Sequence, residues 1–305
     1  MKMKIEPIKL MKEIAPGVAQ IKQHIVTLIK RQKNLAHYPK VINQLREFKK
    51  SYPIVKQYTS PHVSDESTLV NGKQHNYRYF NCSETANKLI LFFPGGNFCY
   101  DQRWSYDRLM DALLNKETNI MIKEPILAPE NIYPSAHEDA LEWTRHLIKD
   151  RNKYVPGDEL ILVGAGSGCH TALWIYNQLK DRSMIKKMVM VDGLYQMNTL
   201  ALSDLPSAES MSGTLGCYFV DQVHNNPEIN LLQNSIAIEI PILFVTGSGH
   251  KLANETIQMA AICGFNSMTV DLMVVPGAIH EFLMYDDIQT QEADQLISDW
   301  IHFAR

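Results

Sequence analysis

Two hydrophobic rhythms alternate along the chain. Short runs that are apolar through their middle recur at residues 88–94 (KLILFFP), 119–125 (NIMIKEP), 159–164 (ELILVG), 187–193 (KMVMVDG), 240–247 (IPILFVTG) and 270–277 (VDLMVVPG). Runs of this length, closed by Pro or Gly, predict strands of a parallel sheet buried on both faces. Between them, apolar positions recur at helical spacing over 135–150, 169–181, 252–265 and 290–304. In the first of these segments Ala140, Leu141, Leu147 and Ile148 share one face, as an amphipathic helix requires. Strand and helix signals in strict alternation predict a doubly wound α/β fold, which places its site at the carboxyl ends of the strands. Residues 1–55 differ: IKQHIVTLIKRQ and VINQLREFKK have helical spacing, and Pro53 with the polar run TSPHVSDES ends the pattern. The chain thus divides into a helical segment over 1–55 and an α/β domain over 56–305.

Composition narrows the function classes. With 305 residues, 45% hydrophobic and 21% charged, the chain has the make-up of a globular protein with a sizeable core. A net charge of −3 supplies no electrostatic reason to expect nucleic acid or a membrane surface as partner. Five scattered cysteines, odd in number and without a C-x-x-C pair, argue against a disulfide framework or a zinc site. The histidines show no metal spacing, and GAGSGCH fits neither a phosphate loop nor the full dinucleotide fingerprint, so no metal or cofactor is expected. The basic N-terminus lacks a continuous apolar stretch, and no run is long enough to span a bilayer, so the expected location is the cytoplasm.

The strand ends carry the candidate chemistry. Gly95 and Gly96 follow the first long strand in FFPGGNFCY, where the backbone can turn N–H groups toward a ligand as an oxyanion hole requires. Pro129 and Pro134 stiffen the connection after the next strand. His280 follows the last strand in VVPGAIHEFLMY, a place suited to a general base. The stretch at 164–170, GAGSGCH, leaves a strand and opens a helix, as a nucleophile elbow of the form G-x-S-x-G does.

In this order and spacing the pieces resemble the hormone-sensitive-lipase group of α/β hydrolases, particularly its bacterial esterases. The group's HGGG loop is similar to Pro94-Gly95-Gly96-Asn97, with Phe98 as the following aromatic residue. Its LAPE…P-A…ED-A run is matched by Leu127, Ala128, Pro129, Glu130, Pro134, Ala136, Glu138, Asp139 and Ala140. Its G-D-S-A-G-G elbow falls on residues 164–169, and its final PG…H-x-F on Pro276, Gly277, His280 and Phe282. The resemblance covers roughly residues 75–305. It implies an α/β-hydrolase fold with a helical lid formed by the N-terminus and a second element near 195–232. It also implies an apolar acyl pocket and a carboxylesterase-like activity on small acyl esters.

The departures fall on the chemistry. Counted from the strand ELILVG, Gly166 occupies the nucleophile position. His250 occupies the position of the triad aspartate, Pro94 replaces the first oxyanion residue and Asn97 the third glycine. Two readings follow. In the active one the strand runs one residue further and Ser167 is the nucleophile. His280 is then its base, Asp192 (or less suitably Glu255) the acid, and Gly168 with Gly95 or Gly96 the oxyanion hole. Asp192 also suits a plain capping role. In the impaired reading Gly166 sits at the apex and the nucleophile is lost. Glycine accepts the strained apex backbone that costs another residue about 1–3 kcal/mol. A plant hormone receptor that resembles these esterases binds its ligand without hydrolysing it. The expected partner is a small acyl ester or other small apolar ligand, and a homodimer is compatible with the chain.

Overall fold

The computed structural model describes residues 42–43, 46–47, 59–155, 157–196, 215–219, 226–233, 238–249, 252–266, 269–285 and 288–303. Most of 1–55, part of 195–232, and His250 therefore lie outside the described residues.

The fold is built on one eight-stranded sheet: β1 (Val63–Val70), β2 (Lys73–Phe80), β3 (Lys88–Phe93), β4 (Thr118–Lys123), β5 (Glu159–Ala165), β6 (Ile185–Val191), β7 (Ile242–Gly247) and β8 (Val270–Val275). The spatial order is β1-β2-β4-β3-β5-β6-β7-β8. All neighbours from β4 to β8 pair in parallel, as the runs of buried apolar residues required, while β1–β2 and β2–β4 are antiparallel. Flanking the sheet are α1 (Asp107–Leu113), α2 (Ser135–Asp150), α3 (Ser167–Gln178), α4 (Ala253–Asn266) and α5 (Ile288–Phe303).

Alternation along the strands divides the core. Leu89, Leu91 and Phe93 pack on one face with Trp143 of α2 and Ile175 of α3. Ile90 and Phe92 pack on the other with Leu109 of α1 and Ile297 of α5. A third cluster lies above the carboxyl ends, where Phe98, Tyr133 and Ala136 meet Ile42, Leu215, Tyr218, Phe219 and Ile229.

The structure departs from the sequence pattern at both edges of the sheet. The β1–β2 hairpin was not expected, because β1 is largely exposed and carries no apolar run. Its signal was the turn: Asn71 and Gly72 have φ of 51° and 81°, the pair of positive values that a two-residue type I′ hairpin needs. At the other edge, β8 is not buried on both faces as its apolar sequence suggested. Its outer face is uncovered, leaving Leu272 and Val274 about two-fifths exposed, at 43% and 40%. Among the described residues no helix is long and apolar enough to cross a membrane.

The strand order also locates the site. The chain steps outward from β3 to β4, then crosses back through α2 to β5 on the other side of β3. Phe93 pairs with Gly164, so the loops leaving β3 and β5 emerge side by side at this switch point.

Candidate active site at the carboxyl ends of the strands

Local geometry puts the elbow apex at Gly166. Strand β5 ends at Ala165 and α3 begins at Ser167. Between them Gly166 has φ 53° and ψ −120°, a conformation that only glycine adopts without strain. Its N–H donates to the Val191 carbonyl, and its own carbonyl accepts from the Leu194 and Cys169 amides. The glycines two residues to either side meet a steric demand. A Cβ on Gly164 would lie 2.6 Å from Cys169 Cα, and one on Gly168 would lie 1.9 Å from the Phe93 carbonyl oxygen. The close strand-to-helix approach thus falls on 164 and 168, symmetric about 166. At Gly166 itself a Cβ would have only Gly95 Cα within reach, at 3.7 Å, an ordinary contact. The apex has room for a Cβ and carries none.

Ser167 is the first residue of α3, 3% exposed, and lines a cavity beside the elbow. It makes no hydrogen bond with His280. With the apex at 166, the amide that follows it is that of Ser167, while Gly168 packs the helix against β3. The loop after β3 also differs from the sequence reading. The Gly95 N–H donates to the buried Tyr106 hydroxyl at 3.3 Å, leaving Gly96 as the glycine amide not engaged in this way. Gly96, Asn97 and Phe98 all have positive φ (123°, 49° and 60°), and the Gly96 carbonyl accepts from the Cys99 and Tyr100 amides. The result is one left-handed turn.

Asp192 and His280 are brought together. Asp192 leaves β6 with φ 47° and is 2% exposed. Its Oδ1 accepts from the Thr246 hydroxyl at 2.9 Å and the Gly247 amide at 3.2 Å; its Oδ2 accepts from the Glu281 amide at 2.9 Å. His280 Nδ1 stands 4.0 Å from that same Oδ2. The carboxylate therefore joins the ends of β6, β7 and β8 and lies beside the imidazole, beyond hydrogen-bond length. Glu255, the weaker acid candidate, is engaged elsewhere: its Oε2 accepts the Tyr195 and Gln196 amides at 3.0 and 3.1 Å.

Three groups escaped the sequence reading. Arg46 donates through Nε to the Cys99 carbonyl at 2.7 Å and through Nη2 to the Ala128 carbonyl at 2.5 Å. It also pairs with both Glu130 oxygens at 2.8 Å, which fastens the glycine loop to the LAPE run. On the inner side lies a buried ion cluster. Lys123 Nζ is 2.8 Å from Asp139 Oδ2, and Lys73 Nζ is 2.5 Å from Asp139 Oδ1. Burial pulls the Asp139 pKa up most strongly, but the charge and hydrogen bond of Lys123, the hydrogen bond of Lys73 and the nearby His75 together hold the carboxyl below its ordinary value. Burial also pushes Lys123 down.

The third group is a polar chain above the site. His170 Nε2 lies 3.0 Å from the Ile229 carbonyl, which can only accept, so that nitrogen carries the proton. His170 Nδ1 then accepts from His137 Nε2 at 2.8 Å, and His137 Nδ1 accepts from the Tyr218 hydroxyl at 2.7 Å. Both rings are fully buried. Burial pushes His170 down to about 4 and His137 well below its ordinary value. Protons therefore bind the folded protein more weakly here than the unfolded chain, whose histidines titrate near 6.5. This contribution is complete above pH 6.5 and is lost as pH falls toward 4. Urea unfolding should show it as a stability loss of about 3 kcal/mol from His170, largely absent in His170→Gln.

The alpha/beta hydrolase fold family matches this chain over residues 90–284, which includes the glycine loop, the elbow, Asp192 and His280. The chain belongs to that family. Within it, the run 127–140 resembles that of the hormone-sensitive-lipase-like group. Arylacetamide deacetylase-like 2 of Homo sapiens is 28% identical over 165 residues, a stretch spanning 49% of this chain and 40% of that protein. Among solved structures, a Pyrobaculum calidifontis esterase superposes with a TM-score of 0.73 at 19% identity, covering 85% of this chain and 92% of its own. A hormone-sensitive lipase from a metagenome library covers 98% and 99%, with a TM-score of 0.72 at 18% identity. At these identities the likeness to solved structures is one of fold. This family member keeps the elbow's backbone and its steric frame, with glycine at the apex.

Proposed function

We propose that this alpha/beta hydrolase binds a small acyl ligand in the pocket of an esterase and forms no acyl-enzyme at the elbow. The observation that carries this reading is Gly166 at φ 53° and ψ −120°, a glycine at a position where a Cβ would meet only Gly95 Cα, at 3.7 Å. Covalent catalysis in this fold needs a nucleophile at the apex, within reach of the histidine and of the oxyanion amides. Ser167, one residue on, lies in the first turn of a helix and is not bonded to His280. Binding needs only the pocket, which persists: the glycine loop, the amide after the apex, and the Asp192–His280 pair are all retained. Residues 1–55 and 195–232 are read as a lid over it. In support, Ile42, Leu215, Tyr218, Phe219 and Ile229 pack with Phe98 in one apolar cluster above the glycine loop.

The test joins binding to turnover. Calorimetric titration with phenyl acetate should give a saturable heat, while pH-stat measurement of the same mixture shows no acid release above buffer. Acid release with a pre-steady-state burst of phenol overturns the reading.

A further inference from the structure

The cavity beside the elbow has a charge character that an ester pocket does not need. It measures about 30 Å³, room for about two waters. Phe98, Pro125, Ala136 and Ala140 make its apolar walls, and Lys123, Asp139 and Ser167 its polar side. Lys123 is 3% exposed, a lysine placed inside the protein at the end of an otherwise apolar strand. Its ammonium has three N–H groups. One is directed to Asp139 Oδ2 at 2.8 Å and one to the Glu124 carbonyl at 2.6 Å. Among the described residues the third has no protein acceptor.

The partner of that ammonium is itself shared. Asp139 is shared by two ammonium groups, Lys123 and Lys73. His75, 3.5 Å from Asp139, is held toward the neutral form by burial. Lys73 reaches Asp139 from the half-exposed side, so at the cavity wall itself Lys123 is the cation and Asp139 its partner, and an N–H of a buried ammonium left without an acceptor is costly unless an acceptor completes it. On the opposite side Ser167 is 97% buried by its 3% exposure, lines the cavity, and has no protein partner among the described residues. It opens the twelve-residue helix α3, whose first amides favour negative charge at that end. A spare ammonium proton, a spare hydroxyl and the start of α3 thus border one small cavity with apolar walls.

We propose that this cavity binds a short aliphatic carboxylate, its head held by Lys123 Nζ and the Ser167 hydroxyl and its alkyl tail against Phe98 and Pro125. The inference deepens the reading above and rests on it for the premise that the pocket serves binding; it adds a free acid anion, held on the Lys123 side, to the acyl ligands the pocket takes. Small size and apolar walls select the shortest acids, acetate and propionate, over longer chains and phosphate.

Calorimetric titration at pH 7.5 tests it. Propionate should bind the unmodified protein saturably, with propionamide, its uncharged isostere, at least about tenfold weaker, since a hydrogen bond to a charged group contributes about that factor or more. Ser167→Ala should weaken propionate by about threefold to tenfold, and Lys123→Met by more than tenfold. Should Lys123→Met fail to fold, the propionate and propionamide pair and the Ser167→Ala titration still decide. Equal affinity for acid and amide, unchanged affinity in Ser167→Ala, or no saturable propionate binding overturns the proposal. A phenol burst in the unmodified protein would instead sink the non-acylating reading while leaving a propionate isotherm standing, so the two failures are separable.

Discussion

Gly166→Ser is expected to gain esterase activity, raising p-nitrophenyl acetate turnover by at least about a hundredfold over the unmodified protein. Removing one member of a complete triad lowers turnover by about ten-thousandfold to a millionfold, so supplying the missing member to a standing frame should return part of that range. The frame stands here. A Cβ at 166 meets nothing closer than 3.7 Å, and the elbow backbone already holds the apex conformation. Asp192 is fixed by three hydrogen bonds with His280 beside it. The gain is expected to stay below a native enzyme's rate because the 4.0 Å between His280 Nδ1 and Asp192 Oδ2 exceeds hydrogen-bond length and must close in the complex. Stability should move the other way. A serine at φ 53° costs about 1–3 kcal/mol, or a few degrees in melting temperature for a chain of this size. Adding His280→Ala to the variant should return turnover to the baseline. A Gly166→Ser protein that folds and stays inactive would mean that the frame is no longer that of a hydrolase.

Gly168→Ala is expected to be the most destabilising of the single-methyl additions at the site, costing about 3 kcal/mol or more and recovering little soluble protein. The new Cβ would lie 1.9 Å from the Phe93 carbonyl oxygen and 2.8 Å from that of Pro94. Those atoms belong to a central strand and to the loop leaving it, so the strain cannot be relieved by a rotamer change, and overpacking of this kind exceeds the usual 1–3 kcal/mol. Gly216→Ala is the control: nothing lies within 4 Å of its added Cβ, and helix propensity favours alanine by about 1 kcal/mol. Comparing urea midpoints of the two variants separates a steric requirement from general intolerance of glycine replacement. Equal midpoints would contradict the assignment of 168 as the tight contact of the elbow.

The sheet's centre was legible because its chemistry is local. KLILFF, ELILVGA and IKKMVMV each bury nearly every residue, and no other element tolerates such runs between Gly and Pro. The edges were not, since β1 is polar along its length and its strand state comes from pairing with β2 across Asn71-Gly72. Candidate site residues were legible where a glycine or a histidine closes a strand. The elbow's register was not, because GAGSG admits two centrings on letters alone. Only the clash distances at 164 and 168 and the positive φ at 166 distinguish them. Asp192 admitted two roles in sequence; the fold gives it the hydrogen bonds of a loop cap and sets it 4.0 Å from His280. Lys123 and Asp139 stand sixteen positions apart on a strand and a helix, and His137 and His170 on two different helices. Their pairings exist only through tertiary contact, so no spacing rule could announce them.

Intact-mass spectrometry after incubation with a fluorophosphonate tests the central claim most directly. The unmodified protein should stay at its original mass, while Gly166→Ser takes up one adduct that peptide mapping places on residue 166. An adduct on Ser167 of the unmodified protein, lost together with ester turnover in Ser167→Ala, would contradict it.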